Sequence, residues 1–385
     1  LPSAVEKLSP GTPYFRSSPC GGALPFHNSS GPSHYFGVGA YKQSFDDLTK
    51  SQVKFASECL AFSNFPGDES LREHFGTTTP AVHQPKWKIG VPRDSAAGWD
   101  FEDIRDHYIE RLYGLNPVEL RYFDKEAYAA LSQVVTGEVM ETAYDHWRQD
   151  DNACSGGLIW FLNDIVPGAG WGIIDSDGRP KPPYYFLKRA WNTTTLSIHD
   201  LGMDGLLAKI NNDSDIESTQ RLIVKVLQHS HVCIAESHLE ITIAPKQSME
   251  VVIDDLLGRF FDTTHRYRFG PPKHDVIAMT LVDKNGEQAL TKCFYPGTRN
   301  LRKLEHANIE IDCSIDDDLE KISIFSESFL QHVKLSSRTH DFSENYFHLF
   351  PGIAKTVIAR RIDESTKALR GTLSAVNLAN PKTFK

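Results

Sequence analysis

The chain changes character near residue 195, and this constrains its fold more than any other feature. Before that point short apolar runs alternate with stretches of helical periodicity; beyond it come strand-like segments and turns with little helical pattern. An α/β portion followed by all-β units is expected. With 385 residues and roughly 100–200 residues per domain, two or three units fit the length. A second boundary is expected at 296–302, dividing the chain into 1–195, 196–298 and 299–385.

In the first portion, 33–40 and 52–57 read as strands, and 156–162 (GGLIWFL) reads as the clearest buried strand, a continuous apolar run after a glycine pair. Asp100 is placed to cap a helix whose stripe is Phe101, Ile104, Tyr108 and Leu112, with Gly114 and Pro117 ending it. A second helix is expected over 125–148, where Leu131, Val135, Val139 and Ala143 recur at four-residue spacing, and a third over 184–191. Long helices between buried strands suit the β/α repeats of a barrel. After 195, strands are expected at 222–227, 232–243, 249–253, 276–282 and 288–294, with Asn285-Gly286 a hairpin turn. A further set is expected at 307–315, 320–335, 346–349 and 356–361. No Cys-Trp-Cys pattern accompanies them, so an Ig-like reading rests on strand spacing.

The balance of 41 basic against 50 acidic residues, net −9, argues against a nucleic-acid partner. No apolar run approaches the roughly 18 residues of a membrane span. The six cysteines are scattered, which predicts free thiols and neither a zinc site nor a disulfide framework. Three Asn-X-Ser/Thr triplets, at Asn28, Asn192 and Asn212, carry no weight without a compartment, and neither compartment nor oligomeric state is legible. Residue 1 is Leu and the opening stretch reads as loop and strand without a leader, so the chain is expected to be a piece of something longer.

Among candidate groups, Gly37-Val-Gly39 and the glycines at 168, 170 and 172 lack the strand, helix and flanking residues of a phosphate loop. Asp103 and His107 stand one turn apart, but on a charged helix face that solvation explains. Glu58 is more informative, because it ends a predicted strand among apolar residues. It is either a structural carboxylate or, at the carboxyl end of a barrel strand, a catalytic one. Trp160 lies in a strand that exits at Asn163 and Asp164, and an indole there is either core or the floor of a sugar subsite. His34 and Tyr35 open another strand, where an isolated histidine is more often structural than basic.

The segments HYFGVGAY (34–41), FASECLAFSNFP (55–66), GWDFEDIRDHY (98–108), GLIWFLNDIVPGAGWGIIDSDGRPKPPYY (157–185) and NYFHLFPG (345–352) resemble the C-terminal half of glycoside hydrolase family 2 enzymes of the β-mannosidase type. The resemblance is strongest at 55–66 and 157–185. It implies the last strands of a (β/α)₈ TIM barrel followed by two Ig-like β-sandwich domains, and a retaining exo-β-mannosidase acting on a β-mannoside oligosaccharide or glycan, with no metal or organic cofactor. By position, Glu58 matches the nucleophile after Ser57, Trp160 the floor of the terminal-sugar subsite with Asn163 and Asp164 behind it, and His34 with Tyr35 the His-aromatic pair bordering that subsite. Cys59 and Val166 depart from the pattern, which leaves sugar choice open to a β-galactosidase, β-glucuronidase or exo-β-glucosaminidase. The family's acid/base glutamate follows an Asn upstream of the nucleophile, and here only Glu6 precedes Glu58. The isolated chain is therefore expected to hydrolyse little; a non-catalytic carbohydrate-binding remnant is the remaining alternative.

Overall fold

A small parallel sheet organises the first half of the chain. The structure is a computed structural model describing residues 1–24, 27–149, 152, 154–267, 270–316, 319–362 and 368–385. Strands β1 (Pro32–Tyr35), β2 (Phe55–Cys59) and β3 (Gly157–Ile159) lie side by side in that order, all parallel. Parallel neighbours need crossover connections, and helices supply them. Helix α1 (Pro2–Leu8) precedes β1, and α2 (Asp46–Ser51) joins β1 to β2. Between β2 and β3 run α3 (Asp68–Phe75), α4 (Pro85–Lys88), α5 (Phe101–Tyr113), α6 (Pro117–Phe123) and α7 (Lys125–Trp147); α8 (Pro182–Ala190) follows β3.

The helix ends follow from local chemistry. Asp100 accepts from the Glu102 N–H while Asp103 accepts from the Asp100 N–H, and Gly114 closes α5 at φ +66°. Asp124 caps α7 by accepting from Ala127. Helix α8 starts earlier than expected because Pro182 and Pro183 fill its first turn, where no N–H is needed. Helix α7 packs on α8 so closely that a Cβ on Gly137 would run into the Phe186 ring. Gly137→Ala should gain up to about 1 kcal/mol in helix propensity yet destabilise overall by about 1–3 kcal/mol through overpacking. A lower urea midpoint is the expected result, and a raised one would contradict this packing.

Two expectations for the sheet need correction. The run 156–162 forms a strand only over Gly157–Ile159, and Leu158 and Leu162 are 57% and 64% exposed. The reason is position: among the described residues β3 pairs only with β2 and lies at the edge of the sheet. The strand expected over 33–40 ends at Tyr35, because the chain turns through Gly39 at φ +120° and Lys42 at φ +56°.

The middle of the chain forms β4 (Thr194–Asp200), β5 (Leu206–Asn212), β6 (Ser218–Gln228), β7 (Val232–Ile243), β8 (Gln247–Val252), α9 (Ile253–Leu256), β9 (Val276–Val282) and β10 (Gln288–Phe294). They make two antiparallel sheets, β4-β5-β8 and β10-β9-β6-β7. Leu196, Ala208, Ile210 and Val251 of one sheet meet Leu222, Val224, Ile241 and Met279 of the other in a shared core. The expected Asn285-Gly286 turn joins β9 to β10, with Gly286 at φ +82°.

The last portion repeats the scheme with β11 (Ile309–Asp316), β12 (Leu319–Ser326), β13 (Leu330–Ser336), β14 (His340–Phe342), β15 (Phe347–Leu349), β16 (Lys355–Arg361), β17 (Gly371–Ser374) and β18 (Lys382–Phe384). Sheets β11-β12-β16-β14 and β15-β13-β17-β18 close over Ile322, Val357, Leu335, Leu349 and Leu373. The single strand expected over 320–335 is two strands in opposite sheets. The chain crosses the core between Ser326 and Leu330, where no Gly, Pro or Asn marks the break. Leu227, Val276, Leu301, Phe329 and Phe350 form a small cluster joining this portion to the middle one.

Candidate active site

Strand register builds the site. His34 lies opposite Glu58 across β1 and β2, and the Trp160 N–H donates to the Cys59 carbonyl at 2.9 Å, just past the end of β3. His34, Glu58 and Trp160 thus emerge at the carboxyl ends of three adjacent parallel strands. The Nδ1 of His34 stands 3.3 Å from Glu58 Oε2, with the two side chains 18% and 31% exposed. On the other ring edge, His34 Nε2 is 3.3 Å from Ser18 Oγ, which also meets Ser57 Oγ at 2.5 Å. Ser57 in turn donates to the Ser33 carbonyl. A hydrogen-bonded chain therefore fixes the imidazole, and the imidazole fixes the carboxylate.

Trp160 is half-buried, with Phe161 and Trp171 packed edge-on at 5.7 and 6.0 Å between centroids. The Trp160–Phe161 peptide bond is cis. Glu58 is thus an open carboxylate near a braced indole, an arrangement suited to a ring that is apolar on one face and hydroxylated at its edge. The neighbouring Cys59 is no rival nucleophile. It points into the core, and burial pushes its thiol up to about 12.

Three of the residues singled out in the sequence do not join this group. Tyr35 is 1% exposed, donates to Asp47 at 2.8 Å and packs on Trp147. Strand alternation sends it to the face opposite His34. The aromatic that shares His34's face is Phe36, edge-on at 6.3 Å, and the period of two in the strand was the available signal. Asp164 is buried in an ion pair with Lys181 and accepts from the Gly172 N–H. Asn163 spends its amide on the carbonyls of Asp175 and Asp164. Through these bonds both side chains brace the loop after β3.

That loop explains its own glycines. A Cβ at Gly170 or Gly172 would strike the Asp164 carboxylate. Lys181 Nζ also donates to the carbonyls of Asn64, at 2.9 Å, and Gly170, and Ser63 donates to the Ala169 carbonyl at 2.8 Å. The loops that follow β2 and β3 are thereby stitched together beside the site. Ser18, sitting in a Pro/Ser-rich stretch, and Lys181 carried no sequence signal.

Among the described residues no three His, Cys, Asp or Glu side chains gather as metal ligands would, and no helix is long and apolar enough to cross a membrane. All six cysteines are free thiols.

Comparison with known proteins defines the class first. Residues 304–381 match the Ig-fold domain family of mannosidases. The β-D-mannosidase of Dictyoglomus thermophilum superposes with a TM-score of 0.77 at 21% identity, covering 98% of this chain and 44% of that one. An exo-chitosanase of Amycolatopsis orientalis superposes at 0.64 and 12% identity, over 93% and 45% of the two chains. The fold is shared with these two chains, and the last portion is an Ig-fold unit. The sequence then narrows the class. Beta-mannosidase B of Aspergillus niger is 33% identical over 207 residues, 51% of this chain and 23% of the relative. Its counterpart in Aspergillus clavatus is 25% identical over 350 residues, 85% and 38% respectively. The chain is thus similar in sequence and fold to β-mannosidases, and it spans less than half the length of these relatives.

Proposed function

We propose that the chain forms part of a retaining exo-β-mannosidase in which Glu58 is the nucleophile. In this reading β1, β2 and β3 belong to a (β/α)₈ barrel, and 196–298 and 299–385 are two Ig-like domains following the barrel portion 1–195. The observation that carries it is the His34-held carboxylate of Glu58, set near Trp160 at the carboxyl ends of adjacent parallel strands. A retaining glycosidase attacks the anomeric carbon with one carboxylate while a second carboxyl, about 5–5.5 Å away, protonates the leaving oxygen and then activates water. Glu58 takes the first role. The acid/base is assigned outside these 385 residues, and Trp160 supports the ring as it flattens toward an oxocarbenium-like state.

Two measurements test this. A panel of nitrophenyl glycosides offered to the full-length enzyme should show preference for the β-mannoside. A higher rate on the β-galactoside, β-glucuronide or β-glucosaminide would move the assignment to another family 2 chemistry, and saturable binding without hydrolysis would make it a carbohydrate-binding protein. The purified chain alone should cleave the aryl β-mannoside at least about 10²-fold more slowly than the full-length enzyme, since general acid catalysis is worth that much or more. Equal rates would place the acid/base within these residues.

A further inference from the structure

Two serine hydroxyls, those of Ser18 and Ser57, connect His34 to the backbone of β1, and each has one hydrogen to give. Ser57 Oγ donates its hydrogen to the Ser33 carbonyl at 3.1 Å, because a carbonyl can only accept. The 2.5 Å contact between Ser57 Oγ and Ser18 Oγ then carries the Ser18 hydrogen. With that hydrogen already used, Ser18 meets His34 as an acceptor, and the His34 Nε2, 3.3 Å away, is the donor. Once Nε2 holds a hydrogen, the 3.3 Å contact between Nδ1 and Glu58 Oε2 is a hydrogen bond only if one more proton lies in it.

Both serines are held in place from their own segments. The Cys20 N–H donates to the Pro32 carbonyl at 2.9 Å, and Ser30 Oγ donates to the Gly21 carbonyl at 2.7 Å. Gly31 stands at φ +65°, and a Cβ there would run into the Cys20 carbonyl oxygen. Residues 20 and 21 are thus pressed against the approach to β1, which sets Ser18, two residues earlier, at the exposed rim beside His34. Ser57 belongs to β2, the strand that carries Glu58.

We propose that Ser18 is a positioning residue of the site: by accepting the Nε2 hydrogen it leaves Nδ1 to bring a second proton to Glu58, which then departs from the sugar beside an imidazolium. This rests on Glu58 being the nucleophile. In glycosylation a Glu58 oxygen bonds to the anomeric carbon as the bond to the leaving oxygen breaks, and the Nδ1 proton stays on His34. In hydrolysis the acid/base takes a proton from water, the water oxygen bonds to the anomeric carbon, and the electron pair of the broken ester bond returns to Glu58. Negative charge develops there next to the Nδ1 proton. A cation at that place favours release of the carboxylate and gives its attack no help. Without Ser18 the imidazole needs one hydrogen only, on Nδ1 toward Glu58, and the pair is a proton short.

The test labels the full-length enzyme with a 2-deoxy-2-fluoro-β-mannosyl fluoride, removes the reagent and follows the return of activity. Ser18→Ala should take the label at least as fast as the wild type but recover about ten-fold more slowly. Ser18→Thr, which keeps the hydroxyl, should recover as the wild type does. Recovery of Ser18→Ala at the wild-type rate would overturn the proposal, and so would equal slowing of labelling and recovery, the mark of a displaced carboxylate. A wild type that carries no label on Glu58 fails differently: it removes the nucleophile, and the proposal with it. Should Ser18→Ala not fold, proton–nitrogen correlation spectra of the wild-type chain with nitrogen-15 histidine decide, at a pH of about 7.5, above the ordinary imidazole midpoint of roughly 6.5. A proton on Nε2 of His34 supports the proposal, and a His34 protonated on Nδ1 alone refutes it.

Discussion

Glu58→Gln should abolish glycoside turnover, lowering kcat for an aryl β-mannoside by at least about 10⁴-fold in the full-length enzyme. The amide has the shape of the carboxylate and can keep its contact with His34, so folding should be little changed. What it loses is the anionic oxygen that attacks the anomeric carbon. Because the change leaves Trp160 and His34 in place, KM or the affinity for a mannoside should move far less than kcat. Near-normal turnover with the amide would remove Glu58 from the chemistry and leave it the structural carboxylate that its bond to His34 also permits.

Lys181→Met should be the most destabilising single change near the site. Lys181 is fully buried and Asp164 nearly so, and burial pushes the lysine below its ordinary range even with the carboxylate beside it. Removing the ammonium strands a buried carboxylate and takes the Lys181 donor from the Asn64 carbonyl, while the Gly170 carbonyl keeps the Asn64 N–H. Such a loss is worth about 3–5 kcal/mol. A urea titration should therefore show a large fall in midpoint, and the double change Asp164→Leu with Lys181→Met should recover part of it, because the pair no longer contains an unpaired charge. A single-variant cost below about 1 kcal/mol would mean that the ion pair does not anchor the two loops.

Much of the architecture could be read from local pattern. The caps at Asp100 and Gly114, the four-residue spacing of Leu131 to Ala143, and the strands at 232–243, 276–282 and 288–294 reappear in the structure almost residue for residue. Such features are local: a capping carboxylate or an alternating strand announces itself within a few residues. The misreadings share the opposite origin. Whether GGLIWFL is buried depends on what lies around its strand, and among the described residues β3 has one strand neighbour. Nothing in Ser326 to Leu330 reveals that the chain there changes sheet.

The candidate site divides in the same way. Glu58 and Trp160 were singled out by strand ends and a recognisable segment and His34 by resemblance alone, and the structure puts His34 in register with Glu58. Tyr35 was grouped with His34 by adjacency in sequence, whereas a strand sends adjacent residues to opposite faces and brings Phe36 to His34 instead. Asn163 and Asp164 are polar residues at a strand exit, and only the fold shows that Lys181, seventeen positions after Asp164 in the chain, claims the carboxylate. Ser18 reaches His34 from a stretch without any periodic signal.

As the proposed nucleophile, Glu58 should become covalently glycosylated during turnover. The most direct test treats the full-length enzyme with a 2-deoxy-2-fluoro-β-mannosyl fluoride, which slows breakdown of the intermediate more than its formation, and maps the labelled peptide by mass spectrometry. A fluorosugar ester is expected on the peptide containing Glu58 and none on the Glu58→Gln variant. A label on any other carboxylate, or turnover of the substrate with no label on Glu58, would contradict it.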